Sequence, residues 1–165
     1  MDNSTRTFTT DMKNNIIKKI CENQNIVKYI NSNYLESPEE LMYVNIYPYI
    51  KLKEEIEENE EIYIGIALSS PDILENDIYK KLNLTVFILS HKNKLKTLYG
   101  GTSVDLIGDE ILYTFNHNTE FGFKYSLLTN DEGAYNEKYY FRQLVFSCVA
   151  NNNMEHGNRI NRYDR

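Results

Sequence analysis

Three histidines, two cysteines and a scatter of carboxylates are the residues of this 165-residue chain best suited to chemistry. A zinc site takes its ligands as closely spaced His and Cys, and none of His91, His117 and His156 has a second such residue within a few positions. All three therefore read as solvated loop histidines. Cys148 falls in the apolar stretch 144–149, where burial keeps a thiol protonated and inert, so it reads as core and not as a nucleophile. The run Leu98, Tyr99, Gly100, Gly101, Thr102, Ser103 has glycines but lacks the spacing and the lysine of a phosphate-binding loop, and a helix-start turn accounts for it.

Carboxylates could hold Mg²⁺ for nuclease chemistry, and Asp72, Asp77, Asp105, Asp109 and Glu110 are available. Their spacing matches no aspartate-to-Glu-x-Lys pattern across neighbouring strands. Asp105 and Asp109 stand four apart, as on the wet side of an amphipathic helix. Residues 54–61 hold six glutamates in eight positions, Glu54, Glu55, Glu57, Glu58, Glu60 and Glu61. Such a density repels itself and marks an exposed acidic loop, without the alternating ligands or glycine turn of a calcium site. The expectation is a protein with no catalytic residues, no cofactor and no metal. The alternative, a metal-dependent nuclease or another small cytosolic enzyme, requires carboxylates gathered from distant loops. A binding module or regulator is a third reading.

The elements that position these residues come from periodicity. Asp11 is suited to cap a helix in which Ile16, Ile17 and Ile20 recur, with Ile26, Val27 and Ile30 continuing it beyond a break at 23–25. Ser37, Pro38 and Glu40 form a capping-box signature for a short turn over 38–42. Residues 43–52 are aromatic and β-branched, but Pro48 lacks an N–H and so confines them to an extended edge segment. Residues 62–68 alternate as a strand with one apolar face, and 82–89 read as the central strand. Val104, Ile107, Ile111 and Phe115 make the stripe of a helix capped by Thr102 or Ser103. Strands at 122–129 and 138–149 are expected to pair through a turn at Asn130, Asp131, Glu132 and Gly133.

This order predicts an α+β two-layer sandwich, an antiparallel or mixed sheet with helices packed on one face. The length suits one domain at 11–150, flanked by an N-terminal arm at 1–10 and a polar C-terminal arm at 151–165. The opening residues carry no signal-peptide or membrane pattern, which implies synthesis in the cytosol with reduced thiols. The net charge of −6 works against tight binding along a phosphate backbone.

Several segments together resemble small neck proteins of tailed bacteriophages of low-GC hosts, of the tail-terminator or head-to-tail connector type. The likeness lies in Pro38-Glu39-Glu40-Leu41-Met42-Tyr43 leading into Asn45-Ile46-Tyr47-Pro48-Tyr49. It continues in the strand at 84–89 ending at Ser90-His91, the glycine turn and helix after it, Phe121-Gly122, and the closing strand at 140–149. The resemblance implies a virion protein that forms a homo-oligomeric ring in the neck, contacts portal, adaptor or tail proteins, and surrounds genomic DNA as passing cargo. Tyr43, Tyr47 and Tyr49 would then be subunit-contact residues, or else cover the domain's own core. The acidic run would face the channel and repel DNA, or else point outward. The two arms would order on neighbouring chains.

Overall fold

A single asparagine splits the first helical stretch in two. In the computed structural model, which describes residues 8–30, 38–56, 60–70, 79–119 and 124–151, α1 spans Phe8–Glu22 and α2 spans Gln24–Ile30. Asn23 donates its N–H to the Ile20 carbonyl at 3.2 Å. Its side-chain oxygen then accepts from the N–H groups of Asn25 and Ile26 at 3.0 and 3.2 Å, so one residue ends the first helix and caps the second. Helix α1 starts three residues before the expected Asp11. Ser37 lies outside the described residues, and the turn that follows it is a 3-10 turn over Pro38–Leu41.

The sheet has five strands in the order β1-β2-β3-β5-β4. These are β1 (Ile46–Tyr47), β2 (Ile62–Ser69), β3 (Tyr79–His91), β4 (Ser126–Ala134) and β5 (Tyr139–Asn151). Only β1 pairs in parallel, with β2, and the other three pairings are antiparallel. The fold is α+β with a mixed sheet, and β3 is its middle strand, as the apolar run at 82–89 predicts. The extended edge segment contracts to the two residues of β1, followed by Pro48 where a longer strand would need an N–H.

One face of the sheet packs against α1, α2 and the helix α5 (Ser103–Phe115). Ile62, Ile64 and Ile66 of β2, Leu84, Val86 and Ile88 of β3, and Leu144 and Phe146 of β5 meet Ile16, Ile20, Ile26, Ile107, Ile111 and Phe115 there. Each such side chain, once fully buried, contributes about 1.5–3 kcal/mol. Helix α5 starts where expected: the Thr102 hydroxyl accepts from the Asp105 N–H. It is tied to the sheet by a buried hydrogen bond of 2.8 Å from the Ser103 hydroxyl to that of Ser90.

One expectation fails for an identifiable reason. The strands β4 and β5 do not turn at 130–133, which lie within β4; the turn is residues 135–138. Asn136 sets it, its side chain accepting from the N–H groups of Lys138 and Tyr139 at 2.8 and 2.9 Å, so the polar residues ahead of it are free to continue as an exposed edge strand. The second sheet face is not bare. Tyr47, Ile56, Tyr63, Leu89 and Tyr139 form a separate buried cluster on it, supplied in part by the chain between β1 and β2.

A charged residue occupies a helix-facing position of β5. Arg142, two before Leu144 and aligned with Ile88 of β3, is 6 % exposed. Its guanidinium donates to the Asp105 carbonyl and the Asp109 carboxylate, each at 2.8 Å, and to the Asn130 side chain at 3.0 Å. It therefore joins α5, β5 and β4. The helix leaves room for it at Gly108, where an added Cβ would stand 2.6 Å from the Arg142 Cδ.

A double-mutant cycle tests that arrangement. Because three hydrogen bonds hold the arginine in place, Gly108→Ala destabilises the protein by about 1–3 kcal/mol in chemical denaturation. In an Arg142→Ala background the same change costs nothing or stabilises by up to about 1 kcal/mol, alanine being the better helix former. Additive effects of the two substitutions would refute the steric coupling.

Candidate functional site

The chain between β1 and β2 crosses the second sheet face and gathers most of the expected site residues. Its passage depends on Gly65 of β2, where a Cβ would lie 2.9 Å from the Tyr49 carbonyl oxygen and 3.0 Å from the Ile50 Cα. On arrival the chain is pinned by Lys13, which donates to the Pro48 carbonyl at 2.8 Å. A short helix α3 (Lys53–Ile56) follows. Ile56 is buried, and its carbonyl accepts from the Tyr139 hydroxyl at 2.8 Å.

The three tyrosines divide between core and surface. Tyr47 is 7 % exposed and belongs to the domain's own second cluster, with its hydroxyl donating to the Val44 carbonyl at 2.8 Å. Tyr43 and Tyr49 flank it, with ring centroids at 6.4 and 5.5 Å in edge-on geometry. They are 59 % and 42 % exposed, beside exposed Val44, Ile50 and Leu52. Of the three tyrosines, Tyr43 and Tyr49 thus lie at the surface with three exposed aliphatic residues, and Tyr47 lies in the core. Lys51 stands over the rings of Tyr47 and Tyr63 at 4.2 and 4.3 Å, which holds a cation at the margin of the patch.

Tyr43 adopts φ 62°, a left-handed conformation that costs a bulky residue about 1–2 kcal/mol. Its N–H donates to the Ile46 carbonyl at 2.8 Å, and this tight turn keeps it there.

The acidic run is not one loop. Glu54 and Glu55 lie in the first turn of α3, where the Glu55 carboxylate accepts from the Leu52 N–H at 2.8 Å as a cap. Glu57 and Glu58 lie outside the described residues. Glu60 accepts from the Asn93 amide at 2.8 Å, and Glu61 pairs with Lys94 at 3.9 Å. The run therefore starts as a helix on the apolar crossing and ends against the helix α4 (Lys92–Leu95).

His91 corrects the reading of the histidines. It closes β3 and is 3 % exposed, because a residue at that register points into the second cluster, where its ring meets Tyr139 at 5.0 Å. Its Nδ1 accepts from the Asn93 N–H at 3.3 Å as the cap of α4. His117 is exposed, in a turn at φ 62°, and His156 lies outside the described residues.

The carboxylates weighed for metal chemistry are occupied separately. Asp105 receives the Thr102 hydroxyl, Asp109 receives Arg142, and Glu110 accepts from Asn23 and Asn25 at 3.1 and 2.8 Å, tying α5 to α2. Asp72 and Asp77 lie outside the described residues. Among the described residues no three His, Cys, Asp or Glu side chains are grouped to hold a metal ion.

Cys148 faces the helices from β5 beside Tyr125. Burial pushes its thiol from 9.0 up to about 11, against a smaller lowering by the Tyr125 hydroxyl. Burial, and secondarily Cys148, push the Tyr125 phenol up as well. A group whose pKa is higher when folded stabilises the protein while protonated, and that contribution fades as the unfolded form ionises. Stability should therefore fall between about pH 9 and about pH 11, with a shallower fall in Cys148→Ala, as read from denaturation midpoints across that range. At neutral pH native Cys148 should resist thiol alkylation, mapped by mass spectrometry, until the protein is unfolded. Rapid native labelling would contradict this burial.

Among curated proteins, none matches the chain. The profile of one family, YomW, aligns with residues 23–148. The aligned span runs from the Asn23 break through α2 and α5 and all five strands, the last as far as Cys148, and it includes the strained turn at Tyr43 and the crossing over Gly65. With most of its length matched in this way, the chain belongs to the YomW family, a phage-derived family of the Bacillus prophage type.

Proposed function

We propose that this protein is a structural component of the phage particle, not an enzyme, and that it forms a homo-oligomeric ring in the neck that joins the portal or an adaptor to the tail around the DNA channel. Membership of a phage-derived family supports the phage origin. The observation that carries the structural role is the exposed apolar patch of Tyr43, Val44, Tyr49, Ile50 and Leu52 beside β1, at one edge of the sheet. Apolar residues grouped on a surface signal an interaction site where scattered ones do not.

The two sheet edges are unlike, and this favours a ring over a two-fold dimer. One edge is β1 with its aromatic patch; the other is β4, long, exposed and polar, with Asp131, Glu132 and the apolar Leu128. A contact between two different surfaces of the same chain repeats head to tail, and it closes into a ring when the rotation permits. The cationic margin at Lys51 complements the acidic character of β4. Glu54 and Glu55, exposed at the start of α3, would repel DNA if turned to the channel, which keeps passing DNA from sticking. Neighbouring neck, portal or tail proteins are the partners of such a ring.

The native mass of the purified protein and its presence in purified virions test the proposal. The expected result is a defined oligomer and a virion-associated protein. The double variant Tyr43→Asn, Tyr49→Ser should dissociate at concentrations at least about tenfold higher than the wild type does, because edge-bound aromatics of this kind carry contact energy. Its thermal midpoint as a monomer should change little, since asparagine tolerates the left-handed turn. A wild-type protein that is monomeric and absent from virions would overturn the assignment.

A further inference from the structure

We infer that the cleft between α2 and the turn after α4 is a binding site for single-stranded nucleic acid. Three elements build it: α2 supplies Lys28 and Tyr29, β2 supplies Ile62 as floor, and the segment after β3 supplies Lys94, Lys96, Thr97 and Tyr99. Lys28, Lys94 and Lys96 line the cleft, with Lys94 paired to Glu61 at 3.9 Å along its edge. The overall charge of −6 acts weakly here, because at physiological salt exposed charges are screened beyond about 8 Å; within that range Glu61 offsets part of Lys94, and Lys28 and Lys96 are the cations that a phosphate meets first.

The aromatic part is held in place before any ligand arrives. Gly100, at φ 82°, turns the chain, and the Thr97 hydroxyl donates to the Gly101 carbonyl at 2.7 Å while accepting from the Tyr99 N–H at 3.2 Å. Tyr99 is thereby fixed with 47 % of its surface exposed, its centroid 5.4 Å from that of Tyr29 and 4.1 Å from the Lys28 ammonium. An exposed aromatic ring with an ammonium over one face brings a stacking surface and a phosphate contact together, the two parts of a single-strand platform.

Size and geometry narrow the ligand class. The cavity measures about 160 Å³, whereas pockets that enclose a small molecule run to about 300–1,000 Å³. A segment of a longer strand lying across the cleft fits that volume better than an enclosed nucleotide. A duplex hides its base faces in the stack and has nothing to offer Tyr99. This reading stands apart from the ring proposal, since it concerns another surface and survives in a monomer.

Fluorescence anisotropy with a labelled short oligothymidylate tests it on the full chain. Three phosphate contacts on a single strand predict a log–log salt slope near −2, or roughly 20-fold weaker binding between about 50 and about 200 mM salt. Lys28→Gln, Lys94→Gln and Lys96→Gln together should abolish binding, and Tyr99→Ala should weaken it by at least about fivefold, with the salt slope unchanged. All four residues are at the surface, so thermal midpoints should hold. Lys18→Gln, on the exposed side of α1, should bind as the wild type does. Failure to bind the oligonucleotide, equal binding of a duplex of the same length, wild-type binding by the triple lysine variant, or competition by thymidine monophosphate as strong as by the oligonucleotide would each overturn the inference.

Discussion

The backbone at Tyr49 and Ile50 lies so close over β2 that only a glycine fits beneath it. A Cβ on Gly65 would meet the Tyr49 oxygen and the Ile50 Cα at 3.0 Å or less, and both are main-chain atoms that cannot swing aside as the end of a side chain can. Much else depends on this approach. It brings Ile56 down onto Tyr139, buries Tyr47 against Tyr63, and so builds the second cluster on the sheet face opposite α1, α2 and α5. It also fixes which residues are left over. Once Tyr47 is drawn in, Tyr43 and Tyr49 cannot follow, and the apolar patch at the sheet edge is what a chain of this composition has to expose when it crosses there.

The opposite face is organised by a different constraint, a cation placed where the strand pattern calls for a hydrophobe. An unpaired guanidinium at that depth would cost several kcal/mol. Arg142 avoids this by three hydrogen bonds to two elements, α5 and β4, one of them to Asp109, whose own side chain is 66 % exposed. The arrangement fixes α5 against β5 in both rotation and translation, more sharply than apolar packing alone would. Asn130 on β4 shares the same arginine, so the edge strand, which has little buried surface of its own, takes its register from a polar contact.

The parts of this structure legible in the sequence are those where one residue type repeats at the period of its element. The alternation through β2, the apolar run of β3, the stripe of α5 with its Thr102 cap, and the isoleucines of α1 and α2 all belong there, and the α+β class follows from them. What was not legible depends on partners far away in the chain. Arg142 interrupts the apolar pattern of β5, and its burial is explained only by Gly108, 34 positions earlier, which leaves it space. His91 reads as a loop residue because its burial comes from Tyr139 on another strand. The displaced hairpin turn had a local signal in Asn136, but Asn130 to Gly133 carried a stronger one, and register with β5 decided between them. Of the site, the aromatic edge was legible as a composition, whereas the division of its tyrosines between core and surface was not.

Charge in this chain is sorted in space and not merely in excess. The glutamate run contributes its first members to the apolar crossing and its last members to α4, where Glu60 and Glu61 meet Asn93 and Lys94. Lys94 also lines the cleft that holds Lys28 and Lys96, so the last glutamates of the run stand at the edge of that cleft. A surface divided in this manner can repel nucleic acid over most of its area and still hold a strand at one place. Counterion release counts the few phosphates actually touched, while the net charge acts only through a screened field. The sum of −6 is therefore a poor guide to what any one face of the molecule does.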